Sequence, residues 1–154
     1  MSQNFIMLID TLKIIFSRDL LKLKAEIELY KDEKKIWITD KGIANSGGNL
    51  CLHLIGNLNT YIGREIGKTN YIRNRDLEFS QKNVAREELI NKIDDTIAVI
   101  QHTFDKMTEE ELDKEYPLLV FDKKTSTEYF LVHLVAHLSY HLGQINYHRR
   151  LLDN

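Results

Sequence analysis

The sequence predicts an all-α protein, and three observations support this prediction. Proline occurs once, at Pro117, so it interrupts none of the long apolar segments. Within four such segments, hydrophobic residues recur at intervals of three and four, which is the spacing of one buried helix face. Strand patterns are scarce: the alternating run KIWIT at 35–39 is short, and the sequence offers no second run with which it could pair. We therefore expect an ordered loop there and a bundle of four helices overall.

The first two helices are predicted from their apolar faces and their end signals. The first runs from about Gln3 to Tyr30. The second follows Asn45 and Ser46, either of which can cap its first turn with a side-chain oxygen, and it continues to Gly67. A long polar connection then separates the second helix from the third.

The last two helices are predicted in the same way. The third covers about 84–106. After it, Thr108 and Glu111 have the spacing of a capping box, which indicates one short helical turn. A second such box, Thr125 and Glu128, is expected to open the last helix, which runs to near the end of the chain.

Length and composition predict an ordinary globular protein with one domain over 1–154. Hydrophobic residues make up 43% and charged residues 29% of the chain, and the net charge of −2 gives no reason to expect a nucleic-acid partner. The single cysteine, Cys51, cannot form an intrachain disulfide and is expected to serve packing. No apolar run reaches the ~18 residues that a membrane span needs, and no secretory signal precedes the first helix. We therefore expect a cytoplasmic protein that does not enter a membrane.

Three histidines are the strongest functional signal. His137 and His141 are four residues apart in a helix, so their imidazoles lie on one face within reach of one ion. His53 lies in the second helix, where folding can bring it opposite the pair. Three neutral nitrogen ligands leave other coordination positions of a metal free for water or substrate. A single histidine on an apolar face is more often a hydrogen-bonded boundary residue, so spacing alone leaves both interpretations open.

A helical wheel favours one pair of histidines in the last helix. At 100° per residue, His141 borders the apolar stripe, His137 lies one step further out and His133 lies furthest from it. His133 nevertheless stays a competing ligand, because it is four residues before His137. Gln144 falls beside the histidines. The remaining histidines, His102 and His148, are expected to be exposed.

The connection between the second and third helices contains a charged motif, IRNRDLEF at 72–79. Its charged residues can form a lip that binds the carboxylates of a cosubstrate. They can also pair with one another and hold the connection against the bundle, with Phe79 as an apolar anchor. We favour pairing, because a long connection in a compact domain must be held in place or remain mobile. The charged residues concerned are Arg73, Arg75, Asp76 and Glu78.

The chain resembles the DinB-like superfamily of metalloenzymes in three stretches that occur in the family's order. These stretches are HLIGN at 53–57, IRNRDLEF at 72–79 and HLVAHLSYHLGQI at 133–145. The NRDLEF stretch resembles most a branch whose function is unknown. The resemblance implies an up-down-down-up four-helix bundle with a long connection between helices two and three. It also implies a divalent metal, zinc or nickel, on His53, His137 and His141, and assembly as a homodimer.

The same resemblance implies chemistry on a small-molecule substrate. Some relatives transfer a low-molecular-weight thiol such as bacillithiol, and a metal that activates water would permit hydrolysis. No carboxylate on the last helix stands near the histidine pair as a general base, which favours thiol transfer slightly. Asn57 and Gln144 are expected to bond the ligands or the substrate. The alternative is a non-catalytic bundle that binds metal or senses a ligand.

Overall fold

The computed structural model describes residues 6–154, and these residues form helices joined by turns and loops. They contain no β-strand; an isolated bridge joins Glu115 and Ser126. The all-helical class is therefore confirmed. In chain order the elements are α1 (Leu8–Leu29), a 3-10 turn (Glu33–Trp37), α2 (Gly47–Leu58) with a π-helical extension (Asn59–Arg64), α3 (Arg75–Ser80), α4 (Arg86–Lys106), α5 (Glu109–Leu112) and α6 (Thr127–Leu152).

Helix α1 packs against both α4 and α6. Its contacts with α4 reverse in order, since Ser17 meets Gln101 while Lys24 meets Asp94, so these two helices are antiparallel. At the other interface, Glu26 accepts hydrogen bonds from Asn146 and Arg149 of α6. The backbone of residues 31 and 32, just beyond α1, then bonds the carboxylate at 153, just beyond α6. Later residues of α1 therefore contact later residues of α6, so these two helices are parallel.

Helix α2 packs against α6 and α4. Gly47 at its start lies beside His148, whereas His53 further along meets His137, so α2 and α6 are antiparallel. This pairing places the middle of α2 opposite the middle of α6, and it brings histidines from the two helices together.

Buried apolar side chains from all four long helices form the core. Phe16 of α1 stacks on Phe104 of α4 with ring centroids 5.7 Å apart, and Tyr116 stacks on Phe130 of α6 at 4.2 Å. Fully burying an aromatic side chain of this size contributes about 1.5–3 kcal/mol. Cys51 is buried as well, as its packing role requires. The histidines of α2 and α6 are thus mounted on a well-packed frame.

The first half of the chain follows the predicted helices with shifted ends. The predicted start of the first helix at Gln3 lies outside the described residues. Ser46 is the N-cap of α2, because its Oγ accepts the Asn49 N–H at 3.1 Å. Beyond Leu58 the helix widens into a π-helical turn instead of continuing regularly to Gly67. The run KIWIT begins as a 3-10 turn and not as a strand, as expected of an ordered loop.

One predicted cap is confirmed and another is wrong. Thr108 and Glu111 form the expected capping box at the start of α5. Helix α6, however, is capped by Ser126 and not by the Thr125–Glu128 box. The reason is tertiary: the carbonyl of Thr125 accepts the Tyr116 N–H at 2.9 Å, which holds this residue in an extended pairing outside the helix.

None of the helices within residues 6–154 is long and apolar enough to cross a membrane.

Candidate metal centre

His53 from α2 meets His137 and His141, which lie on consecutive turns of α6. The Nε2 atom of His137 is 3.2 Å from that of His53 and 3.1 Å from that of His141. One donor atom from each ring lies within 4.8 Å of the other two. The structure therefore brings together the three histidines that the sequence singled out.

Hydrogen bonds at the outer nitrogens assign the tautomers of two rings. His53 Nδ1 is 3.1 Å from Oε1 of Glu78, and His141 Nδ1 is 2.6 Å from Oε1 of Gln144. A carboxylate or amide oxygen accepts only, so each Nδ1 must carry the proton and donate it. The lone pairs of both Nε2 atoms consequently point toward His137.

This donor set fits a metal better than it fits the rings alone. Two Nε2 lone pairs converge on one neighbour, and a single N–H on His137 Nε2 can bond only one of them well. A metal ion accepts all three lone pairs. With metal–nitrogen bonds of about 2.0–2.1 Å, tetrahedral ligand nitrogens stand about 3.3 Å apart. The observed separations of 3.2 and 3.1 Å are close to this value.

Burial keeps the histidines of α6 neutral. Burial, as the largest cause, and the neighbouring His141, His53 and His133 together lower the pKa of His137 to about 4. Burial also lowers the pKa of His141, against a smaller opposing effect of the hydrogen bond to Gln144. A neutral imidazole is the form that binds metal, so protons compete weakly for this site near pH 7.

Glu78 is the residue that sequence reasoning did not assign to the centre. Arg73 Nε donates to its Oε2 at 2.8 Å, and Arg73 Nη2 donates to its Oε1 at 2.9 Å. Burial alone would raise the pKa of Glu78, but the hydrogen bonds from His53 and Arg73 and their charge outweigh burial and hold it below its usual range. The charged carboxylate therefore orients His53, as in the carboxylate–histidine–metal arrangement of many proteins.

The HLIGN motif provides the space for this carboxylate. A Cβ at Gly56 would overlap Oε2 of Glu78 and lie 2.6 Å from its carboxyl carbon. Asn49, one turn before His53, donates its amide to the backbone carbonyls of Glu78 and Gln81 and so ties α3 to α2. Gly56 is 22 residues before Glu78, so the sequence gives no sign of this contact, but the charged motif itself indicated a fixed connection.

Two of the four charged residues of the connection pair with each other, as favoured in the sequence analysis. Arg73 and Glu78 form its internal ion pair. Phe79 is half-buried with its ring 5.0 Å from that of His53, so it anchors the connection beside the centre. Arg75 remains exposed and lies 5.3 Å over the Phe79 ring.

The predicted accessory residues lie on opposite sides of the centre. Gln144 bonds His141 directly. Asn57 is one turn beyond His53, is only 7% exposed, and its buried Oδ1 has no hydrogen-bond partner in residues 6–154. His133 is outside the three-histidine cluster, although its ring stacks on that of His137 at 6.3 Å.

The prediction that His148 is exposed is wrong. Its ring is buried, Nε2 donates to the carbonyl of Ile38 at 2.8 Å, and Nδ1 accepts from the hydroxyl of Tyr30 at 2.6 Å. These bonds tie α6 to the end of α1 and to the loop before α2. His148 therefore serves the fold, whereas His102 on α4 is exposed as predicted.

Comparisons with known proteins identify the family of this chain and a structure of similar fold. Residues 9–154 match the family described as protein of unknown function DUF1572, and the chain belongs to that family. The fold is similar to the crystal structure of a conserved protein from Enterococcus faecalis, with a TM-score of 0.72 and 14% identity over 96% of this chain and 98% of that one. At this identity the likeness concerns the fold. No curated protein matches the sequence.

Proposed function

We propose that this protein is a metal-dependent enzyme of the DinB-like superfamily that acts on a small molecule. His53, His137 and His141 would hold one divalent transition metal, zinc or nickel. The reaction we favour is transfer of a low-molecular-weight thiol, with bacillithiol as the type of cosubstrate, and hydrolysis is the second possibility. The observation that carries the proposal is the convergence of two oriented Nε2 lone pairs on a third neutral imidazole.

The bound metal would lower the pKa of a thiol or water and so supply a nucleophile near pH 7. The protein's own residues position that chemistry. Glu78 holds His53 in the ligating tautomer, and Gln144 does the same for His141. Both oxygens of Glu78 are occupied by Arg73 and His53, so this carboxylate is a positioning residue and not a general base. No carboxylate among residues 6–154 lines the cavity beside the centre, and the imidazole of His133 is the free base there. Thiol transfer is the simpler reaction, because a thiolate needs no proton acceptor during attack.

In that transfer, the thiolate sulfur forms a bond to an electrophilic carbon of the acceptor. The bond from this carbon to its leaving group breaks, and the leaving group departs as an anion. The thiol proton goes to solvent when the thiolate forms. His53 is buried and the other two histidines are half-buried, so the centre would be partly shielded from solvent and still open to a substrate.

Metal content tests the first half of the proposal. We expect purified protein, reconstituted with zinc or nickel and then desalted, to retain about one metal per chain by elemental analysis. His53→Ala and His141→Ala should lose it. His102→Ala changes an exposed histidine of α4 and should retain it, and His133→Ala should retain it if His133 does not compete. Metal-free native protein after reconstitution would refute the metal centre.

Activity tests the second half. The metal-loaded protein is incubated with a panel of small thiols and an acceptor that carries a chloride leaving group, and the thioether product is measured. Turnover that His53→Ala abolishes and His102→Ala keeps would support thiol transfer. A full metal complement with no turnover of thiols or esters would favour the non-catalytic alternative.

We also propose the up-down-down-up topology for the four long helices. The antiparallel pairs α1–α4 and α2–α6, together with the parallel pair α1–α6, support it. The proposed homodimer is supported by exposed apolar side chains on the outer face of α6, namely Val132, Tyr140, Tyr147 and Leu151. Light scattering should give twice the chain mass, and Tyr140→Glu should reduce it to one chain.

A further inference from the structure

A cavity of about 210 Å³ adjoins the histidine cluster on the side of His53 and His137. Arg73 and Arg75 line another part of its wall, and Phe130 contributes to an apolar part. The cavity is smaller than the 300–1,000 Å³ of sites for drug-sized ligands. It therefore suits a molecule of few atoms, or one end of a longer molecule, placed next to the candidate metal.

The wall of this cavity carries unbalanced positive charge. Glu78 neutralises Arg73 through two charge-assisted hydrogen bonds. No carboxylate within residues 6–154 forms an ion pair with Arg75, which lies over the ring of Phe79 at 5.3 Å and is thereby held beside His53. Arginine donates in a planar fork that matches a carboxylate. The free charge at the cavity is thus that of Arg75.

A second, independent feature indicates that a ligand completes the cavity. Asn57 lines it, is more than nine-tenths buried, and leaves its Oδ1 without a partner among the described residues. A buried acceptor without a donor costs free energy. A ligand with an N–H or O–H group in the cavity would remove that cost.

We infer that this cavity is the substrate subsite and that it takes a small organic carboxylate. Arg75 would bind the carboxylate at the rim, Asn57 would accept a hydrogen bond from the ligand, and the reacting group would face His53 and His137. The inference rests on the proposed function, because it places the reacting group at the metal. Arg75 is on this account a specificity-determining residue.

Two thiols test the inference, one with a free carboxylate and one in which a methyl ester removes the charge. Cobalt-loaded protein is titrated with 3-mercaptopropionate and with its methyl ester, and binding is followed by the thiolate-to-cobalt absorption band. We expect the acid to bind about five- to tenfold more tightly, the effect of one charge-assisted pair at a partly exposed site. Arg75→Gln should bring the acid to the level of the ester. Arg150→Gln, which removes another exposed arginine elsewhere on the bundle, should leave the preference intact.

The hydrogen bond to Asn57 is tested with L-cysteine, which adds an ammonium donor to the same thiol and carboxylate. Native protein should bind it more tightly than 3-mercaptopropionate, and Asn57→Leu should abolish that difference while keeping the response to Arg75→Gln.

The failures can be told apart. Equal binding of acid and ester to native protein would overturn the anion subsite, while the cobalt band would still support the metal centre. A protein that takes one cobalt but shows no thiolate band with either ligand would overturn the subsite as well. A protein that binds no cobalt would overturn the proposed function, and with it the subsite.

Discussion

Replacing Glu78 with glutamine tests whether the connection between α2 and α4 orients the metal ligand. The native carboxylate accepts three charge-assisted hydrogen bonds: from His53 Nδ1 at 3.1 Å, Arg73 Nε at 2.8 Å and Arg73 Nη2 at 2.9 Å. The amide retains one acceptor oxygen and turns an NH2 group toward a donor. Glu78→Gln therefore keeps the volume of the side chain and removes its charge.

The expected loss follows from these bonds. Charge-assisted hydrogen bonds contribute about 1.5–3 kcal/mol each and neutral ones about 0.5–1.5, so weakening two bonds and losing one would cost about 3.5–6 kcal/mol if the bonds were independent. Because the three bonds share one carboxylate, this sum is an upper bound. Arg73 can recover part of this by hydration, because its side chain is 14% exposed. We expect the free energy of unfolding of the metal-free protein to fall by about 2–3 kcal/mol. Metal affinity should fall about 10–100-fold, the usual effect of losing the partner of a ligating histidine.

Urea unfolding of the metal-free protein measures the first effect, and competition with a chelator measures the second. Glu115→Gln is the matched control: this glutamate is exposed and pairs with Lys124, so its replacement should change stability by less than about 0.5 kcal/mol and leave metal affinity unchanged. Unchanged metal affinity in Glu78→Gln would refute the orienting role. If stability alone fell, Glu78 would be only an anchor for the connection.

Three further predictions follow from contacts and charge. Gly56→Ala should lower metal affinity as strongly as Glu78→Gln, because the new Cβ displaces that carboxylate. Gly143→Ala, where a Cβ meets no neighbour, should leave metal affinity unchanged in the same chelator assay, and equal behaviour of the two variants would contradict this. His148→Phe should lower the free energy of unfolding by about 2–4 kcal/mol in urea, since it leaves a buried tyrosine hydroxyl and a backbone carbonyl unpaired, and an unchanged midpoint would argue against that role. The metal-free protein should lose stability as pH falls from about 6.5 to 4: the pKa of His137 is 6.5 when unfolded and about 4 when folded, so the unfolded chain binds the proton first. After allowance for solvent screening of this half-buried ring, the loss is about 1–2 kcal/mol, and a flat unfolding profile between pH 7 and 4.5 would exclude it.

Helix positions were predictable because they depend on local pattern. The apolar periodicity located the four long helices, and Ser46 and Thr108 were found because a cap bonds a backbone group within three residues. Thr125 was misassigned although it has the same chemistry. Its carbonyl is taken by Tyr116, and no local rule distinguishes two adjacent hydroxyl residues when a distant backbone group selects one of them.

Burial of single polar residues was less predictable. On the helical wheel, His148 falls on the same side of α6 as His137, and the sequence therefore did not separate a structural histidine from a candidate ligand. Tyr30 and Ile38 determine its role, and both belong to segments more than a hundred residues away. Arg73 and Glu78 were expected to pair, but the contact of Glu78 with His53 depends on how α3 folds back over α2.

The sequence by itself determined that His137 and His141 share a helix face, because four residues span about one turn of any α-helix. Only the tertiary structure decided that His53 meets this pair and that Glu78 holds its outer nitrogen. Distances within a helix follow from backbone geometry, whereas distances between helices follow from the packing of the whole core.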